Sequence, residues 1–223
     1  MGRSDIDLKS REGYDLNQWP ANSVRVKSFY MDRTEVTNAE YSDFVRQVGY
    51  TPPTNWHGDK PPAGEEQWPV TYVSLIDAQA FAQWRSKRDG AKYGLPTEEQ
   101  WEYAARNGSK DTLYPWGNEW QDNCANVDAT SPKAVGSYPD CGSNAGILDL
   151  IGNVWEWTAT TAVPYKGADR LPVGLNLSGQ IIRGGSYQEP AHGPIAITAT
   201  RRSTKGENDK LADVGFRLVR VGP

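Results

Sequence analysis

The stretch Gly152-Asn153-Val154-Trp155-Glu156-Trp157-Thr158, followed by Arg183-Gly184-Gly185-Ser186-Tyr187 and closed by Gly215-Phe216-Arg217, decides how this chain reads. Each piece joins a glycine, the mark of a special backbone demand, to large aromatic or charged side chains that are hard to place. Occurring together in fixed order, they constrain a fold far more than one local motif. In an extended segment residues 152, 154 and 156 face one way, while Trp155 and Trp157 face the other and belong in a core.

Composition sets the frame for that core. The chain has 223 residues, enough for one compact domain. Only 37% are hydrophobic and the mean hydropathy is −0.70, yet nine Trp and eleven Tyr supply bulk. With 22 Gly and 15 Pro, the expected structure is rich in loops held by buried rings. No apolar run approaches a membrane span. A net charge of −4 without Lys/Arg clusters excludes a nucleic-acid surface. His57 and His192 stand far apart with no other ligand spacing, which argues against a zinc site. The opening Met1-Gly2-Arg3-Ser4-Asp5 is polar, lacks the pattern of an export leader and leaves the compartment unread.

Periodicity places the elements. Ser23–Val36, with Val24, Val26 and Phe29 in its alternating part, reads as a strand. Thr37-Asn38-Ala39-Glu40 is a capping box, which predicts a helix over 38–48 that stops at Gly49. Ser74 caps a second helix with Ala78, Phe81, Ala82 and Trp84 on one face, ending near Gly90, and Thr97 starts a third. Residues 108–152 are mostly turn-formers, a long connection that something must hold. Short strands are expected around 153–158, 180–187, 196–201 and 214–221.

Glu35-Val36-Thr37-Asn38, Leu95-Pro96-Thr97-Glu98-Glu99-Gln100-Trp101-Glu102, Pro115-Trp116-Gly117 and the three signatures above resemble the formylglycine-generating-enzyme, or sulfatase-modifying factor, family over nearly the whole chain. The resemblance implies one α+β domain over 1–223, a loop-rich variant of the C-type-lectin fold with calcium sites. Met1-Gly2 resembles the end of that family's opening strand. Two readings stay open: an internal methionine with the first strand missing, or an ordinary start on a shortened domain.

Oxidising members of the family resemble copper enzymes whose two cysteines follow the Gly-Gly-Ser-Tyr run. Here that stretch reads Gln188-Glu189-Pro190-Ala191-His192-Gly193-Pro194-Ile195, without a thiolate to hold Cu(I), so copper is not expected. The two cysteines, Cys124 and Cys141, lie in the turn-rich loop instead. They are a disulfide candidate that would contribute about 3 kcal/mol, with two free buried thiols as the alternative. By resemblance a calcium ion takes the Asp149 side chain, the Gly152 and Val154 carbonyls and the Glu156 carboxylate, an oxygen set that suits a hard cation. A second family site would use Asn126 and the Val127 carbonyl, but its acidic loop is shortened here. Arg201 and Arg202 resemble the arginine of the family's substrate groove, and with Tyr187, Glu189 and His192 they form the candidate ligand face.

Three functions follow. The first is a calcium-stabilised, non-oxidase recognition module for a peptide, a protein or a small polar ligand, beside a kinase, lipoprotein or enzyme domain outside this chain. The second is an enzyme of different chemistry on the same fold, resembling sulfoxide synthases or siderophore-tailoring proteins. The third is a retroelement-diversified receptor, to which the Asn-poor run Thr204-Lys205-Gly206-Glu207-Asn208-Asp209 is poorly suited.

Overall fold

The computed structural model describes residues 1–2, 18, 20–168, 176–192 and 197–222. Three helices stand where the capping sequences put them. Thr37 caps α1 (Asn38–Val48), Ser74 caps α2 (Leu75–Asp89) and Thr97 caps α3 (Glu98–Ala105). Each cap hydroxyl accepts the N–H three residues on, and the side chain there, Glu40, Asp77 or Gln100, accepts the cap's own N–H. These reciprocal bonds satisfy donors that a helix start leaves open. Gly49 and Gly90 close α1 and α2 in the left-handed conformation.

The strands form two small sheets. β1 (Phe29–Met31), β2 (Tyr93–Gly94) and β7 (Val219–Val221) pair antiparallel in the order β1-β7-β2. β3 (Trp155–Thr161), β4 (Gln180–Arg183), β5 (Arg202–Lys205) and β6 (Val214–Gly215) assemble as β5-β4-β3-β6, with β3 and β6 parallel. Glu156 therefore lies between Arg183 of β4 and Gly215 of β6, at the meeting point of the three signatures. The architecture is α+β.

Several expected strands differ in place. The strand expected over Ser23–Val36 contracts to β1, because within it only Phe29–Met31 pairs in strand register, with β7, while Asp32 and Val36 make single bonds to Leu218 and Phe216. The strand expected over 180–187 ends at Arg183, where Gly184 and Gly185 turn the chain with positive φ. The strand expected over 196–201 forms instead as β5, registered against Gln180–Arg183; residue 196 lies outside the described residues. The alternating run 214–221 serves both sheets, Gly215 pairing with Glu156 and Val219 with Met31 and Gly94.

Rings fill the core. Tyr41 stacks on Phe81, which meets Trp84 and Phe216, and Trp155 and Trp157 join the same cluster, on the buried side predicted for them. Trp101 centres a second cluster with Leu150, Ile151 and Ile197. The long 108–152 connection is held by hydrogen bonds and by a disulfide joining Cys124 to Cys141. Among the described residues no helix is long and apolar enough to cross a membrane.

Candidate cation turn and ligand face

The turn leading into β3 is left-handed at Asp149, Gly152 and Asn153. A Cβ on Gly152 would collide with the Asn126 carbonyl, so only glycine lets these two loops meet. Within the turn, Gly152 N donates to Gly184 O, Asn153 N to Asn126 O and Trp155 N to Asp213 O. No turn or loop hydrogen bond between described residues ends on the Gly152 or Val154 carbonyl.

Beyond the turn the charges converge on Arg217. Glu156, fully buried, accepts from Arg217 Nε and Nη2, both at 2.7 Å, and from Trp101 Nε1 at 2.9 Å. Arg217 also donates to the carbonyls of Asp149 at 3.2 Å and Arg33 at 3.2 Å. Burial works to strip its proton, but Glu156, together with Glu35 and Asp149, outweighs it and keeps the guanidinium firmly charged. The half-buried Asp149 carboxylate accepts from Gly136 N at 2.6 Å. Glu35, buried beside them, accepts from Asn153 Nδ2 at 3.0 Å through one oxygen. Its other oxygen has no hydrogen-bond partner among the described residues. Burial, then the Asp149 charge, push the Glu35 carboxyl well above the usual range, against the pull of Arg217.

Asp149 and Glu156 are thus brought to one guanidinium, and Gly152 is locked against Asn126. The Asn126 carbonyl accepts from Asn153 N, and its side-chain amide donates to Ser131 O at 3.0 Å and to Asn153 Oδ1 at 3.2 Å. Val127 packs beside the Trp101 cluster.

The candidate ligand face divides. Glu189 and Arg201 form an ion pair at 3.0 Å, with side chains 17% and 12% exposed. His192 is exposed and meets Trp120 edge to face at 5.9 Å; Trp120 in turn packs on Trp116 and Tyr114. Two residues leave the face. Tyr187 is buried, its N–H bonded to Asn153 O and its hydroxyl accepting from Gln188. Arg202 is 1% exposed and paired with Glu98 at 2.8 Å, because successive residues entering a strand point to opposite sides.

That inward arginine belongs to a charged core the sequence reading missed. Arg183 sits between Glu98 and Glu102 of α3, Arg106 bonds Glu102 at 3.2 Å, and the Tyr165 hydroxyl lies 3.2 Å from Glu98 and 3.4 Å from Glu102. Burial, reinforced by the two glutamates, raises Tyr165 well above the ordinary phenol range. Burial also raises Glu98; in Glu102 the opposing pull, led by the charge of Arg183 and joined by that of Arg106, outweighs burial and the carboxyl is lowered. The available signal was the four-residue spacing of Glu98 and Glu102, which puts both on one helical face. Arg217, Glu35 and Asn153 stand inside recognisable motifs, but sequence alone assigns none of them a role.

Two surface clefts of about 520 and 630 Å³ flank Tyr103, the first lined also by Glu102 and Arg106 and the second by Phe29 and Ile147. Neither includes Glu189, Arg201 or His192.

This arrangement has relatives. A model of the sulfatase-modifying factor enzyme 1-like domain matches residues 2–221. The chain belongs to the formylglycine-generating-enzyme family. Within that family it is 32% identical to the inactive C-alpha-formylglycine-generating enzyme 2 of Mus musculus, across 98% of this chain and 82% of that one. It is also 32% identical to the hercynine oxygenase of Mycobacterium tuberculosis, across 81% of this chain but only 48% of that protein. The structure of PvdO from Pseudomonas aeruginosa superposes with a TM-score of 0.77 at 26% identity, covering 99% of this chain and 89% of that one. In this family member Glu189, in the loop where the resemblance places the oxidase cysteines, pairs with Arg201 from further along the chain, and its two cysteines are bonded to each other.

Proposed function

We propose that this chain is a calcium-stabilised, non-oxidase member of the formylglycine-generating-enzyme family that recognises a peptide, a protein or a small polar ligand. The observation that carries it is the ion pair of Arg201 with Glu189, a carboxylate in the loop where copper chemistry needs thiolates. A half-buried carboxylate–guanidinium pair binds by charge-assisted hydrogen bonds and by opening to admit a competing carboxylate or cation. His192 and Trp120 beside it offer an aromatic flank. The relative named as inactive supports the same reading.

By resemblance the cation would lie at the 149–156 turn, although among the described residues no three His, Cys, Asp or Glu side chains group as a metal site. Asp149 and Glu156 bring two carboxylates to the one guanidinium of Arg217, and the buried Glu35 carboxyl beside them, pushed well above its usual range, has one oxygen without a hydrogen-bond partner among the described residues. A divalent cation balances that excess, and the donors are all hard oxygens. Asp149, the Gly152 and Val154 carbonyls and Glu156 would hold it. Bound there, calcium supplies fixed charge that stiffens the turn and no step of a reaction.

Calorimetric titration of the EGTA-stripped protein with CaCl2 tests the cation. Uptake of one ion, abolished in Asp149→Ala, is expected; absence of binding heat together with an unchanged melting temperature removes calcium from the reading. A second reading, an enzyme of different chemistry, draws on the match to hercynine oxygenase. It predicts turnover only when the rest of such an enzyme is supplied.

A further inference from the structure

The three-stranded sheet leaves one edge open. In the order β1-β7-β2, β1 has β7 on one side and, among the described residues, no strand on the other. Its register pairs Tyr30 with Arg220, and in the same ladder Asp32 N donates to Leu218 O at 2.9 Å. In an antiparallel ladder alternate residues bond the partner, so the N–H and C=O of Tyr30 face β7 while those of Phe29 and Met31 face away. No turn or loop hydrogen bond between described residues ends on the main chain of Phe29 or Met31. Strong donors and acceptors thus line a free edge.

That edge opens on space. The two clefts beside Tyr103 share Val26, Tyr103 and Gly108, and together they make a trough along residues 22–31. The larger one, about 630 Å³, is walled by the β1 segment, by Tyr103 and Ala104 of α3, and by Ser143 and Ile147 of the long connection. Ser143 is 7% exposed, and its buried hydroxyl has no hydrogen-bond partner among the described residues. Lys27 is the one charged side chain among the residues lining that cleft. The alternation of Val24, Val26 and Phe29 begins well before the pairing with β7 does, so the strand pattern in the sequence is longer than the strand that finds a partner.

We propose that the free edge of β1 is a docking site for an extended peptide from another chain, which adds as a strand beside Phe29–Met31 and fills the cleft with alternate side chains. Outward main-chain groups at strand spacing are met best by another main chain, and the period of two sends every second side chain of the added strand to one face. Phe29, Ile147 and the Tyr103 ring receive apolar groups there, and Lys27 receives a carboxylate. The edge lies inside a trough, which a single extended segment can enter and the equally recessed β1 of a second copy cannot. The site is separate from the Glu189–Arg201 face, since neither residue lines the trough, and it stands without that reading.

Amide hydrogen exchange read residue by residue by NMR tests it, on the wild-type chain with a synthetic peptide of about eight residues that alternates valine with threonine and glutamate. At saturating peptide the Phe29 and Met31 amides are expected to gain protection on the order of tenfold, while the Tyr30 amide, already turned to β7, changes little. Two further peptides, N-methylated at the odd or at the even amides, separate strand addition from loose apolar contact: one is expected to bind and the other to fail. Ala145→Trp, an exposed substitution on the cleft wall, should abolish binding without lowering the melting temperature. Lys27→Glu should turn the preference from glutamate to lysine at the polar positions. No protection of Phe29 and Met31 at millimolar peptide, or equal binding of the two methylated peptides, overturns the proposal. So does protection of both amides in the free monomer. A concentration-dependent dimer that protects them without peptide also overturns it and gives the edge to a second copy.

Discussion

Replacing Arg217 by Met breaks a fully buried ion pair from one side. The guanidinium is fully buried and satisfies both Glu156 oxygens and the carbonyls of Asp149 and Arg33. Its removal leaves a buried carboxylate with only the Trp101 N–H for company. Breaking a buried pair from one side costs about 3–5 kcal/mol, a large share of the roughly 5–15 kcal/mol that holds a domain folded. At about 2–4 °C per kcal/mol for a chain of this size, the melting temperature should fall by roughly 6–20 °C. Calorimetric melting and urea unfolding at neutral pH measure it. The double variant Arg217→Met with Glu156→Met removes both charges and should recover most of the loss, because the penalty lies in the orphaned carboxylate. A single variant within about 1 kcal/mol of wild type, or a double variant no better than the single, would refute the view that this pair anchors the three signatures.

Other perturbations have equally definite outcomes. Reducing Cys124–Cys141, which are 17 residues apart, should lower the urea midpoint by the equivalent of about 3 kcal/mol, and Cys124→Ser should match the reduced wild type. Gly152→Ala forces a side chain into a left-handed backbone against the Asn126 carbonyl, and should cost about 2 kcal/mol or more in melting experiments. Burial works to raise the Asp77 carboxyl, but bonds from Lys210, Ser74 and Tyr50 together outweigh it and hold it below its usual value. A lowered carboxyl gives stability that is present above the unfolded-state pKa and lost as pH falls through the folded one. Asp77→Asn should therefore flatten the acid limb of the stability curve, and an unchanged limb would contradict the bonding described.

How much was legible in the sequence depended on the range of the interaction. Helix starts at Thr37, Ser74 and Thr97 are written within four residues, so their capping boxes were readable and all three helices stand in place. Strand limits depend on partners far away in the chain. β5 forms at Arg202–Lys205 because Gln180–Arg183 lies opposite, and nothing near residue 202 announces that register. The same distance explains the arginines. Arg201 and Arg202 look alike in sequence, yet one meets Glu189 at the margin and the other is buried on Glu98. The turn at 149–156 was recognisable from its glycine and carboxylates, whereas Glu35 and Arg217 arrive from opposite ends of the chain to complete its charge. Asn153 carried no signal of its own, since its bonds to Asn126, Glu35 and Tyr187 join parts of the chain that only the fold assembles.

The proposed function requires a scaffold that recognises without oxidising a thiol. The most direct measurement incubates the copper-treated, oxygenated protein with a cysteine-containing peptide and follows the peptide by mass spectrometry. A peptide that keeps its thiol sulfur at every time point is expected; conversion of the cysteine to an aldehyde, at a rate proportional to protein concentration and abolished in Glu189→Ala, would contradict a non-oxidase.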